Sequence, residues 1–241
     1  MRIDKFLSEL GIATRREAQA AAKRGLVAVN GIPERDLSRH IQPESDKIEY
    51  GGRLIEYRRY TYVMLNKPEG YVSATEDTKN PYVTELLPEE LRRRELFPVG
   101  RLDKDTVGLM ILTNDGATAH SVLSPKHHVD KLYRFKCIEP LRADCETVFL
   151  NGIVLGDGYE CKSAVLTADD DRLGGLIKLT EGKYHQIKRM LGAVGNKITF
   201  LERVSFADIP LDEGLARGEW RYLTENEENL LKSKTKQEKS L

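Results

Sequence analysis

Beyond residue 60 the apolar residues come in short runs: TYVMLN, LFPVG, LMILTN, KLYRFKCIE, KSAVLTA, GLIKLT and NKITFLERVSF. Most are rich in β-branched or aromatic residues and bounded by glycine, proline or charge clusters, which predicts strands. Helical spacing is confined to DGATAHSVLS, RADCETVFLNG and KYHQIKRMLGAVG, each with glycine at or past one end. Strands that outnumber helices without alternating with them predict an α+β domain on a mostly antiparallel or mixed sheet. An apolar fraction of 40% is ordinary for a chain that buries a core.

The first residues follow another pattern. Ile3, Phe6, Leu7 and Leu10 fall at helical spacing, and Gly11 ends that helix. Thr14 with Glu17 three residues on forms a capping box for a second helix, which runs to Lys23 before Gly25. LVAVNG and DKIEYGGR follow as short strands with turns. The expectation is a small α+β module over residues 1–57, a larger domain over 58–231 and a disordered tail from Lys232, where KSKTKQEKSL has no apolar face.

With 38 basic and 38 acidic residues, net charge gives no global pull toward a polyanion. A local patch does: residues 1–30 hold Arg2, Lys5, Arg15, Arg16, Lys23 and Arg24 against Asp4, Glu9 and Glu17. Cys137, Cys145 and Cys161 match neither a disulfide framework nor a CxxC metal knuckle and read as reduced packing residues. No apolar run approaches the roughly 20 residues that span a bilayer, and the N-terminus has no signal-peptide core. The sequence therefore predicts a cytoplasmic protein, and no long apolar stripe argues against a monomer.

Three places put polar groups where the pattern expects burial. GRLDKDTVGLMILTNDG, from Gly100 to Gly116, sets Arg101, Asp103, Asp105 and Thr106 in a turn before a buried strand. A strand end holds a side chain rigidly, which suits a reacting group, although in an ordinary turn the aspartates only accept backbone N–H bonds. In EGKYHQIKRMLGAVG, Ile187, Met190, Leu191 and Val194 make the apolar face; at about 100° per residue Lys188 flanks it, either snorkelling or pairing with a carboxylate. Tyr133 in KLYRF is the third. His127 and His128 lack a third metal ligand nearby.

RIDKFLSELGIATRREAQAAAKRGLVAVNG resembles the S4 RNA-binding domain, with Ile3 and Thr14 where leucine and serine are commoner. That resemblance implies that Lys5, Arg15, Arg16, Lys23 and Arg24 meet a phosphate backbone. NKPEG, GRLDKDTVGLMILTNDG, KLY and EGKYHQIKRM, in that order, resemble the motifs of the pseudouridine synthases that carry an S4 domain. SPKHHVDKLYRF is nearest to the branch named after RsuA, which modifies small-subunit ribosomal RNA.

The resemblance implies isomerisation of one uridine in 16S ribosomal RNA, bare or in an assembling small subunit, with no cofactor and no metal. It makes Asp103 the required carboxylate, as nucleophile, base or charge stabiliser. Lys188 is its partner cation, countering the desolvation of an anion in a closed pocket, where many relatives have arginine. Arg101 fills the stack vacated by a flipped base, Tyr133 lies against the uracil, and Asn66 and Lys67 shape the substrate pocket.

Two other substrate readings stand beside this one, a large-subunit (23S) target and a non-catalytic S4-type RNA-binding factor; intact Asp103, Tyr133 and Lys188 speak against the second. A glycosidase pairing Asp103 with Asp105 is disfavoured because residues two apart on a strand face opposite ways.

Overall fold

The structure is a computed structural model that describes residues 1–234. It divides into two compact units: Met1–Thr61 with Leu87–Leu96, and Tyr62–Leu86 with the chain from Phe97 onward.

In the first unit, α1 (Ile3–Glu9) and α2 (Arg15–Lys23) pack on a sheet of β1 (Val27–Val29), β2 (Ile32–Pro33), β3 (Ile48–Tyr50) and β4 (Arg53–Ile55) in the order β2-β1-β3-β4. Ile3, Phe6 and Leu7 of α1 and Ala18, Ala21 and Ala22 of α2 face Val27, Val29 and Ile48 in one core. The capping box is present: the Glu17 N–H donates to the Thr14 hydroxyl, and the Thr14 N–H to the Glu17 carboxylate. Val29 pairs with Ile32, leaving Asn30 and Gly31 as a two-residue turn with φ of 54° and 80°. Asn-Gly is the pair that tolerates two positive φ angles, so the VNG signature is the hairpin itself.

Leu87–Leu96, which contains α3 (Glu89–Arg92), leaves the second part of the sequence to join this unit. Arg93 bridges Glu17 at 2.9 Å and Glu89 at 2.7 Å. Gly11 admits the segment, because a Cβ there would stand 2.2 Å from the Glu90 carbonyl oxygen.

The second unit is built on a nine-stranded sheet: β5 (Tyr62–Lys67), β6 (Phe97–Pro98), β7 (Val107–Thr113), β8 (Lys131–Cys137), β9 (Val165–Ala168), β10 (Gly174–Leu179), β11 (Ile198–Phe206), β12 (Ile209–Pro210) and β13 (Trp220–Tyr222). The main path runs β13-β5-β7-β11-β8-β10-β9, with β6 on β7 and β12 on β11. Every named strand pairing is antiparallel except β7 with β11, so the sheet is mixed and mostly antiparallel, as the sequence predicts. All residues of β5 and β7 are buried, which explains why TYVMLN and LMILT are nearly continuous apolar runs.

Four helices accompany the sheet: α4 (Gly116–Leu123), α5 (Cys145–Asn151), α6 (Gln186–Ala193) and α7 (Glu225–Ser233). Asp115 caps α4, accepting from the Thr118 N–H at 3.1 Å, and also accepts the buried Tyr62 hydroxyl at 2.5 Å. Ile187, Met190 and Leu191 are the buried face of α6, with Val194 just beyond it also buried. The helix starts only at Gln186, three residues later than its sequence pattern suggests, because Glu181–His185 form a separate loop. The sequence pattern missed α7, which a Thr224/Glu227 capping box begins and buried Leu231 anchors. Residues 232 and 233 therefore close a helix, correcting the expected start of the tail at Lys232, and the rest of that tail from residue 235 lies outside the described residues. No helix among the described residues is long and apolar enough to cross a membrane.

Candidate active site

The one parallel pairing of the sheet sets Val107 and Gly108 of β7 beside Glu202 and Arg203 of β11. A Cβ on Gly108 would stand 2.4 Å from the Arg203 carbonyl oxygen, so glycine is what lets these strands close. Arg203 in turn faces Tyr133 on β8. The turn from Arg101 to Thr106 enters β7 at this row, which brings segments distant in sequence to one strand end.

A cleft with about 450 Å³ of space, partly open to solvent, lies there. Arg101, Asp103, Thr106, Tyr133, His185 and Lys188 line it. Lys188 Nζ stands 3.0 Å from Asp103 Oδ2 and 2.5 Å from Asp105 Oδ1, so the helix lysine does pair with a carboxylate. Both aspartates reach one cation because they sit in the expected turn and not on a strand, where residues two apart would face opposite ways. The Asp103 side chain is 28% exposed and that of Asp105 61%, so Asp103 is the enclosed acid and Asp105 the outer one.

Burial draws the Lys188 ammonium down, but its hydrogen bonds to Asp105 and Asp103 more than offset this and hold the pKa above the ordinary lysine value. For Asp105 burial, the largest single effect, raises the pKa, but the hydrogen bond from Lys188 and the charge of that lysine, with smaller contributions, together outweigh it and leave the carboxyl below its ordinary range. Lys188 and Asp105 are therefore both charged throughout the neutral range.

Lys67 stands behind the cleft wall. It is fully buried, and Nζ donates to the carbonyl oxygens of Thr106 at 2.8 Å, Asp103 and Pro68 at 3.1 Å and Lys104 at 3.3 Å. Burial lowers its pKa to about 8, with the charges of Asp105 and Asp103 resisting the shift. The ammonium is thus a pin through the Asp103 turn. Lys67→Met should lower stability by about 2–4 kcal/mol, since it strips a donor from buried carbonyls, and should reduce turnover as well; denaturant midpoints and initial rates measure the two. Asn66 is likewise engaged away from the cleft lining, donating to the Leu215 carbonyl at 2.7 Å and accepting from Arg217.

Several residues here were not singled out by the sequence. His185 Nε2 lies 3.6 Å from Asp103 Oδ1, and the residue adopts a left-handed φ of 48°, which costs a non-glycine residue on the order of 1 kcal/mol. Arg203 is 1% exposed; Nε donates to the Leu109 carbonyl at 2.8 Å, while Nη2 has no partner among the described residues. The hydroxyl of Thr106, which the sequence did single out, lies in the cleft wall and is also unpartnered among the described residues. In the sequence, Arg203 looks like the polar position of an alternating strand, and only its pairing beside Gly108 gives it a role.

The five cations expected to meet RNA, Lys5, Arg15, Arg16, Lys23 and Arg24, are all exposed in the first unit. Lys5 lies 3.4 Å from Glu9, one helical turn away. Among the described residues no three His, Cys, Asp or Glu side chains are grouped to hold a metal ion, and His127 Nδ1 lies 3.0 Å from the Ser121 hydroxyl.

Comparison with known proteins agrees with this fold. The family described as RNA pseudouridylate synthase matches residues 61–193, and the S4 domain matches residues 1–48. A Bacillus subtilis protein named as an uncharacterized RNA pseudouridine synthase, YtzG, is 42% identical over 96% of this chain and 98% of its own. The ribosomal small subunit pseudouridine synthase A of Vibrio vulnificus is 39% identical over 94% of this chain and 97% of its own. A solved structure described as a pseudouridylate synthase superposes with a TM-score of 0.68 at 36% identity, covering 96% of this chain and 99% of that one. The chain belongs to the RNA pseudouridylate synthase family, in the form that carries an N-terminal S4 domain. It is an isomerase that acts on uridine in RNA.

Proposed function

We propose that the protein converts a specific uridine of small-subunit (16S) ribosomal RNA, of the position-516 type, to pseudouridine, with Asp103 as the required carboxylate. The observation that carries the reading is the enclosed Asp103–Lys188 pair in a cleft that Tyr133 and Arg101 also line. The small-subunit assignment is supported by relatives of that name at 39% identity over nearly the whole chain.

The reaction breaks the N1–C1′ bond, turns the uracil over and joins C5 to C1′, after which C5 loses its hydrogen. An anion beside the anomeric carbon stabilises the positive charge developing there or attacks it directly, and the C5 proton then needs an acceptor. Asp103 supplies the anion and Lys188 holds it. A stacked uridine cannot reach a carboxylate set in a cleft, so the base is flipped out, at a cost of a few kcal/mol. Arg101, exposed on the rim, offers its planar guanidinium to the vacated stack.

Tyr133, 8% exposed on β8, presents its ring to the cleft and lies against the flipped uracil. Tyr133→Phe keeps that packing and loses the hydroxyl; we expect it to bind RNA normally and to accumulate a covalent or rearranged adduct, visible as a gel-shifted species. Rapid turnover without an adduct would remove Tyr133 from proton transfer at C5.

The assay for the whole reading is tritium release from C5-tritiated uridine in unmodified 16S RNA, offered bare and as an assembling particle. One equivalent released per RNA supports it. Release only from 23S RNA would move the substrate to the large subunit, and binding with no release from any of them would leave a non-catalytic RNA binder.

A further inference from the structure

The loop Glu181–His185, between β10 and α6, displays an aromatic ring that hydrophobic burial does not account for. Tyr184 is 74% exposed, more than any other large hydrophobic side chain among the described residues. Its ring stacks on His185, with centroids 3.8 Å apart and planes 18° from parallel. His185 lines the cleft and reaches toward Asp103. A two-ring stack thus runs from the cleft to its outer rim.

The loop beneath that stack is braced. Gln186, 5% exposed, accepts the Lys183 N–H at 2.9 Å and donates to Glu181 at 2.8 Å. Glu181 also accepts the Tyr159 hydroxyl at 2.8 Å and the Lys162 N–H at 3.0 Å. His185 is held in its left-handed conformation at the start of α6. The network braces the loop on which the ring sits, and the ring's recorded contact is its stack on His185.

We infer that Tyr184 is a stacking platform for the unpaired base next to the flipped uridine. The inference rests on the RNA-substrate reading above and adds a specificity element to that site. Flipping one nucleotide loosens the stack around it even with Arg101 in the gap, so an unpaired neighbour can swing toward the rim on which Tyr184 stands. One face of the tyrosine is covered by imidazole, which fixes the ring and leaves the other face for a base. Exposed Lys183, next in the loop, offers a positive charge to the adjoining phosphate. A stacked aromatic of this kind is worth about five- to a hundredfold in affinity, with little preference among bases, so the site would select an unpaired neighbour rather than a particular sequence.

The test uses the full chain as wild type, Tyr184→Ala and Tyr184→Trp, with C5-tritiated transcripts of 16S and 23S RNA. On whichever transcript the wild type modifies, Tyr184→Ala should raise KM about tenfold or more, its loss falling on KM rather than kcat, and Tyr184→Trp should restore KM. The indole emission of Tyr184→Trp, measured against the Trp220 background of the wild type, should be quenched when RNA binds. Wild-type KM in Tyr184→Ala overturns the inference, as does a loss confined to kcat, which would mean that the ring only supports His185. Tyr184→Trp that binds RNA without quenching also overturns it, even where no transcript is turned over. Release from 23S RNA alone would refute the small-subunit reading and leave the platform to be judged on that RNA.

Discussion

Asp103→Asn should abolish pseudouridine formation, with a loss of at least about 10³- to 10⁴-fold, while the protein stays folded and still binds RNA. The substitution is nearly isosteric and the side chain is 28% exposed, so no core packing is lost. The turn that carries it is held through backbone carbonyls by Lys67, and these contacts do not involve the Asp103 carboxylate. Lys188 keeps Asp105 as a partner, so no cation is orphaned. On the proposed mechanism, what disappears is the anion beside the anomeric carbon. Tritium release under single-turnover conditions, beside a melting curve and an RNA-binding isotherm, measures the effect; release at a tenth of the wild-type rate would move the chemistry to another group.

Lys188→Met should cost about 10²- to 10³-fold in turnover with the fold retained. The methionine can lie along the same apolar flank of α6, but Asp103 and Asp105 would then share a turn without the cation between them. Two carboxylates in that position repel, and one of them tends to take up a proton. Since the ammonium is held above lysine's ordinary pKa and Asp105 below its own, the wild-type pair contributes across the neutral range. Its contribution is lost only as pH rises through the raised lysine value or falls through the lowered Asp105 value. The variant should therefore gain a pH dependence in kcat on the acid side that the wild type lacks. Lys188→Arg, whose guanidinium can address two carboxylates at once, should recover much of the loss. Wild-type kcat in Lys188→Met would separate the lysine from the reaction.

Much of this arrangement was legible in the chain. The strand runs after residue 60 follow from period and length, and the capping box and the VNG turn fix the first unit's helix and hairpin locally. The turn around Asp103 stood out because charges crowd a buried strand. The remainder depends on tertiary pairing. Lys67 ends an apolar run and reads as the polar boundary of a strand, yet it is buried because three carbonyls converge on it from a turn 36 to 39 residues away. Asp105 shares Lys188 because both aspartates lie in the expected turn, where the period-two argument that disfavours a facing pair does not apply. Tyr184 and His185 sit inside a helical pattern whose first residues form a loop, so their rings appeared to belong to α6. The helix α7 is short, mostly polar and anchored by one leucine, a signal too weak for periodicity alone.

The parallel pairing of β7 with β11 also sets an order of events during synthesis. The first unit has all its sequence once Leu96 leaves the ribosome, whereas the strand that closes against β7 ends at Phe206. At about 5–20 residues per second the interval is roughly 5–20 s. Once β7 is made it pairs with β5 along one side and with β6 at Leu112 and Thr113, but its Val107–Gly108 end stays open until β11 follows. The nascent chain therefore carries the S4 unit well before the cleft can close, and the far edge of β5 waits longer still, until Trp220–Tyr222 is made.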